Sequence, residues 1–549
     1  VHSDSTSTTA AALAVDIRRF PWIRRLATDY AFAYDRVAPF FAGDPASPEA
    51  WADAVRRRHA HGGSPDAIAR VITAQQARRN APAAARAEAA HLADPRTVVI
   101  ITGQQAGLFG GPLFTLLKAI TTMKLAQQMQ RAHGVQVVPV FWIDAEDHDW
   151  PEVNHCTVLG SDLEPKEIAL GDLAGAGRLP IGRLTLDDQI TPAVDLLART
   201  LPETEFRATL IDQLRRAYRP GVGMAEAFGC WLEATLGDRG LVVFDASDPA
   251  AKPIVRDLFT RELQTQGETA RLAEKAGTAL VAAGYHSQVT PHGGAVSLFH
   301  LNDGRDSIRV AEGKATVGEQ ATTLAALVEE AQREPHHFSP NVLLRPIVQD
   351  SLFPTICYVA GPNELAYLGQ LREIYDYFSV PMPLMYQRAT ATIADSATLR
   401  FLTKYELPLE AMQPQDEAAL NQLLESQLPP TVEQAIQGAG TSIEERMATI
   451  AATVPQIDPT LEGAVQSTLA RMQHDLKTLH NKVIQAAKRR DETLRRQFRH
   501  AQALTFPHGH PQEREVGFVW FLNRYGPAMV DRLLEDLPLD MGHHWVMTI

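Results

Sequence analysis

The chain has 549 residues, 45 % hydrophobic and 21 % charged. That is ordinary for a globular protein but too long for one compact core, so two to four domains are expected. The net charge of −13 argues against a general nucleic-acid surface. Cys156, Cys230 and Cys357 are widely spaced with no CxxC pair, against a zinc knuckle or disulfide framework and in keeping with a reducing cytosol. No run of about 18 apolar residues could span a membrane, and VHSDSTSTTAAALAVDIRRF lacks the layout of a secretory signal.

In chain order, the first dozen residues are expected to fray. Residues 15–95 are Ala- and Arg-rich and read as helices, a helical segment 1–95 of the core. VVII at 98–101 is a short continuous apolar run, suited to a parallel strand buried on both faces. A glycine-containing loop follows, then a helix from about Pro112 to Arg131, then a strand over 135–143. This βαβ unit predicts an α/β fold with a Rossmann-like parallel-sheet core. Residues 151–235 read as an inserted connecting module, polar and turn-rich in its first fifty residues. LVVF at 241–244 opens the remainder of the core, 236–400. Short β-rich runs between Gly and Asn-Asp-Gly turns predict a hairpin-rich insertion at 284–335. The text at 342–361 (VLLRPIVQDSLFPTICYVAG) reads as strand. Over 401–510 a helical coiled-coil domain is expected, because Leu469, Met472, Leu476, Leu479, Val483 and Ala486 alternate gaps of three and four. So polar a helix needs a partner, from its own chain or a second subunit. Its basic residues, Arg471 to Arg499, read as a solvated face. Helices are expected over 511–549.

Four stretches carry candidate chemistry. In VVIITGQQAGLFGGPLFTLLKAI (98–120), a strand enters a glycine loop and a helix, an arrangement that aims backbone N–H groups at an anion. Neither GxxxxGK[ST] nor GxGxxG is present, so ordinary ATPase and dehydrogenase readings lose their support. Thr102, Gly103, Gln104, Gln105 and Gly107 are the candidate anion or carboxylate contacts, with Lys118 nearby. In FWIDAEDHDW (141–150), Asp144, Glu146, Asp147, His148 and Asp149 crowd the carboxyl end of a strand, where open α/β sheets place ligands. Charges so close need a cation, an amine or shared protons to offset them. In the third stretch, Arg345 and Asp350 stand in apolar text and pair with each other or meet a ligand; Asn363 lies in the turn after it. Arg388, in MYQRAT, is another cation beside apolar text, and the basic helix at 471–499 is the fourth stretch. No metal-ligand set is assigned.

TGQQAGLFGGPLFTLLKAI, PVFWIDAEDHDWPEVNH, RPIVQDSLFPTICYVAGPNELAY and the tail KRRDETLRRQF…FPHGHPQEREVGFVWFLNRYGP together resemble the bacillithiol synthase family, the cysteine ligase of bacillithiol biosynthesis. The likeness is collinear over nearly the whole chain. It implies a Rossmann-like core related to class I synthetases, inserted connecting modules and a C-terminal coiled coil that dimerises. It implies a cytoplasmic enzyme joining L-cysteine to glucosaminyl malate, with no nucleic-acid or membrane partner. Amide formation needs an activated carboxylate, hence ATP or another nucleotide with Mg²⁺. Asp147, His148 and Asp149 would be the catalytic cluster, holding an amine with His148 as proton acceptor; Arg345 or Arg388 would meet malate. The paired histidines of the synthetase loop are missing, so adenylation is an analogy of fold. The alternatives are a nucleotidyltransferase on a sugar or small acid, and a non-catalytic dimeric scaffold with a vestigial nucleotide fold.

Overall fold

The structure, a computed structural model, describes residues 12–62, 65–291, 295–311, 314–427, 430–490 and 492–549. The frayed start expected from the sequence falls mainly on residues 1–11, outside the described residues, as do the side chains of Lys488, Arg489 and Arg490. The chain forms two compact units, 1–393 with 511–549, and 394–510.

Among the described residues the strands run in chain order: β1 Ala12–Asp16, β2 Val98–Gln105, β3 Val137–Asp144, β4 His155–Leu159, β5 Pro165–Ala169, β6 Val242–Asp245, β7 Ala295–His300, β8 Asp306–Ala311, β9 Lys314–Val317, β10 Gln320–Thr323, β11 Phe338–Pro340, β12 Thr355–Ala360, β13 Leu384–Gln387, β14 Thr390–Ile393 and β15 His543–Met547. The central sheet of the first unit is wholly parallel, in the order β13-β12-β2-β3-β6. Val98 to Ile101 are fully buried, because helices cover both faces of the sheet, as a continuous apolar run requires. The helix Leu113–His133 makes the crossover from β2 to β3 and ends at Gly134 in the left-handed region (φ 63°), where glycine costs nothing. From β2 the chain moves one way, to β3 and β6, and then returns to β12 on the other side. That reversal opens a crevice at the carboxyl ends of β2 and β12, the place where such sheets bind ligands.

The hairpin-rich insertion forms an antiparallel sheet, β10-β9-β8-β7-β11. The helices expected near the chain ends include two strands: β15 lies between β1, antiparallel to it, and β14, parallel to it. The strand text at 342–361 divides. Arg345–Leu352 is a helix with Pro346 in its first turn, and only Thr355–Ala360 is strand. Seven of that helix's eight residues are buried, so no polar stripe betrays its period.

In the second unit, the helices Pro430–Thr453 and Glu462–Arg490 form an antiparallel hairpin. Glu433 meets His480, and Glu444 meets Gln473. The heptad helix therefore has a partner within its own chain. Its seam is split. Leu469, Leu476 and Val483 are half-buried, whereas Met472 and Leu479 are 43 % and 53 % exposed.

Candidate active site

A cavity of about 630 Å³ lies at the carboxyl ends of β2, β3 and β12. Its floor is Gly103, Gln104 and Gln105, the last residues of β2. The Gln105 side-chain amide donates to Asp147 (2.9 Å) and Glu152 (2.8 Å). Asp144 ends β3 and lies 3.7 Å from the Arg345 guanidinium. Arg345 also donates to the Tyr367 hydroxyl (3.1 Å). From the opposite wall comes Arg305, in the turn between β7 and β8, 3.5 Å from Asp147 and stacked 3.9 Å over the Phe299 ring.

The electrostatics separate the two aspartates. Burial pushes the Asp144 carboxyl above its ordinary value, and the nearby Asp147 charge adds to this against Arg345. Burial raises Asp147 too, but the Arg305 charge, the His148 amide and Gln105 outweigh it and leave that carboxyl below its ordinary range. Two neighbouring acids with opposite shifts are the pattern that divides proton acceptor from fixed anion.

Several residues expected in the site have other partners. Lys118 is buried beneath the floor, where its ammonium donates to the Gly103 carbonyl (2.7 Å), Gln104 (3.1 Å) and Glu364 (2.5 Å). It braces the end of β2 and holds Glu364, which lines the cavity; it is not a bare phosphate cation. Thr102 is fully buried and its hydroxyl donates to the Val359 carbonyl (2.8 Å). The glycine loop is packed shut. A Cβ on Gly110 would lie 2.2 Å from the Phe518 ring, and the first helical N–H, of Leu113, is taken by the Val516 carbonyl (2.8 Å). Gly107 therefore turns the chain beside the helix start and does not line the cavity.

Glu146 is buried against Lys252 at 2.5 Å. Arg345 and Asp350 do not pair with each other: Asp350 is fully buried and accepts from Tyr375 (2.6 Å) and Gln349 (2.9 Å). Arg388 forms a buried two-pronged pair with Glu513 (2.7 and 2.9 Å). Asp149 and Asn363 are exposed and outside the lining. His148 stands at the rim, its Nδ1 3.3 Å from an Arg305 nitrogen. The same Nδ1 lies 3.4 Å from Asp147 Oδ1, so it faces both a donor and an acceptor.

The sequence reading missed Arg305, Glu152, Tyr358, Glu364 and Tyr367, all in the lining. Arg305 had one local signal, its place after the Asn-Asp-Gly turn. Nothing in the sequence tells that turn from a surface hairpin.

A parallel α/β sheet with a charge-paired cleft at its switch point, in a chain that also carries a helical-hairpin unit, defines a Rossmann-like α/β protein. The family model described as "Bacillithiol biosynthesis BshC, N-terminal Rossmann-like domain" matches residues 13–389, and "Bacillithiol biosynthesis BshC, C-terminal coiled-coil domain" matches residues 391–549. The chain belongs to the BshC family of bacillithiol biosynthesis. It is 32 % identical over 534 residues to a protein of Salinibacter ruber, covering 95 % of this chain and 96 % of the relative. It is 32 % identical over 440 residues to one of Koribacter versatilis (79 % and 81 %) and 33 % identical over 467 residues to one of Symbiobacterium thermophilum (82 % and 84 %). All three carry the name "Putative cysteine ligase BshC".

Proposed function

We propose that the chain is a cysteine ligase that forms an amide between L-cysteine and glucosaminyl malate, with nucleotide-dependent activation of the cysteine carboxylate. The observation that carries this reading is the lining of one cavity by Arg305 and Arg345 together with Asp144 and Asp147. The substrates bear both carboxylates and an amine, and such a lining has a partner for each. Family membership and the name of the relatives supply the reaction class.

In this reading Arg305 and Arg345 hold the malate carboxylates, and Asp147, kept ionised, anchors an ammonium group. Asp144, whose burial raises its affinity for a proton, accepts the proton as the amine attacks the activated carbonyl. Its lowered acidity makes it the stronger base of the pair. His148 orients Arg305 from the rim. In the lining Asp147 and Glu152 offset the two guanidiniums and Lys118 is taken by Glu364, so no spare cation is left for a bare triphosphate. ATP is therefore expected to enter as its Mg²⁺ complex. The enzyme acts in the cytoplasm as a homodimer formed through the helical hairpin.

The test is reconstitution. Purified protein is incubated with glucosaminyl malate, L-cysteine, ATP and Mg²⁺, and bacillithiol and AMP or ADP are sought by mass spectrometry. Nucleotide-dependent product, with AMP marking an adenylate and ADP an acyl phosphate, is the expected result. No product with folded protein and verified substrates would refute the ligase reading and favour the scaffold.

A further inference from the structure

We propose that His300, Glu330 and His337 form a binding site for one divalent transition-metal cation of the zinc class, on the back of the wall that carries Arg305. The three donors come from three segments. His300 ends β7, Glu330 is in the helix Leu324–Arg333, and His337 ends the short turn before β11. Both imidazoles point a nitrogen at the same carboxylate oxygen: His300 Nε2 lies 3.1 Å from Glu330 Oε1, and His337 Nδ1 lies 2.7 Å from it. All three donor atoms lie within 4.8 Å of one another.

That spacing is near what a tetrahedral ion needs. Ligands at 2.0–2.1 Å around zinc are separated by about 3.3 Å, so a movement of roughly half an ångström admits the ion. Two imidazoles and one carboxylate are a donor set that zinc accepts, with water in the fourth position. His300 is largely buried, while the Glu330 and His337 side chains are 31 % and 36 % exposed, which leaves a solvent side for entry and for that water. Tight scaffolding holds the donors. Phe338 is paired with His300 across β11 and β7, and the Leu301 N–H donates to the His337 carbonyl (2.6 Å).

The cation would clamp the cavity wall. Phe299, beside His300, carries the Arg305 guanidinium on its ring, and β11 runs straight into Asn341 of the lining. A bound ion would fix β7, β11 and the helix against one another, and so fix Arg305. Without an ion, Glu330 simply accepts two imidazole hydrogen bonds, and that reading is the competitor.

Full-length protein freed of metal by a chelator would be titrated with Co²⁺, following visible absorption, and metal content would be measured after gel filtration. The expected result is one Co²⁺ per chain in a low-symmetry, four-coordinate spectrum, displaced by Zn²⁺. His300→Ala, His337→Ala and Glu330→Gln should each weaken binding by about tenfold or more, the range of even outer-shell changes. If His300→Ala fails to fold, the half-exposed His337 and the near-isosteric Glu330→Gln decide the matter. No stoichiometric uptake by the unaltered protein, or uptake that survives both His337→Ala and Glu330→Gln, would overturn the site.

Discussion

Arg305 touches Asp147, His148 and Phe299 at once, so its loss would remove the proposed malate contact and release a neighbour. Arg305→Ala is expected to lower kcat/KM about 30-fold, since a charged hydrogen bond contributes about 2 kcal/mol. It should also raise the apparent pKa of Asp147, readable in a pH–rate profile; an unchanged profile would remove Arg305 from the site. Glu262 poses a separate question of stability. It is fully buried, accepts from the Ser297 N–H (2.6 Å) and the Thr269 hydroxyl (2.5 Å), and burial raises its carboxyl from 4.5 to about 7. The folded chain therefore holds this proton more tightly than the unfolded chain does. The stabilisation is present in full below pH 4.5 and is lost as pH rises towards 7, by about 3 kcal/mol. Denaturant titrations should show that slope, and Glu262→Gln should flatten it whatever its effect on absolute stability.

At the level of elements, legibility followed burial pattern. The runs at 98–101 and 241–244 are apolar without interruption and bounded by turns, so the parallel strands could be read directly. The helix Arg345–Leu352 is buried almost all round, so its sequence reads as strand. The site divided in the same way. Acidic crowding after β3 marked Asp144 and Asp147 locally, but Arg305 and Glu364 reach the cavity only through register and crossover, which no local window contains. Arg388 and Asp350 were conspicuous for a different reason: a charge in apolar text signals burial, and here the partners are Glu513 and Tyr375. The heptad helix gave half its answer. Leu469, Leu476 and Val483 are half-buried, whereas Met472 and Leu479 stay exposed and are the residues the proposed dimer contact would cover. Glu at both Met472 and Leu479 is expected to convert a dimer to a monomer in light scattering while leaving helix content unchanged. A wild-type monomer would end the dimer proposal.

Over the whole molecule, the helical unit is an insertion with adjoining ends. The chain leaves the first unit after β14 at Ile393 and re-enters at Pro511. The Gln512 side chain joins the two points: it accepts from the Ile393 N–H (2.8 Å) and donates to the Ile393 carbonyl (2.9 Å). Glu513, next in line, binds Arg388 and accepts from the Ala391 N–H (3.1 Å). The exit and return are thus fixed by contacts inside the first unit, and closing so short a gap costs little chain entropy. Replacing 394–510 by a short Gly-Ser linker should leave a cooperatively folding core, seen as a single calorimetric transition with strand and helix signals retained. If the proposed dimer forms through the hairpin, the excised protein should also be monomeric. A core that unfolds without the insertion would mean that the hairpin unit contributes to its stability. A core that folds but stays dimeric would move the subunit contact to the sheet-bearing unit. Because Gln512 clamps the return of the chain to its exit at Ile393, Gln512→Ala in the full chain is expected to cost about 1–3 kcal/mol, the penalty of leaving the Ile393 backbone groups buried without partners.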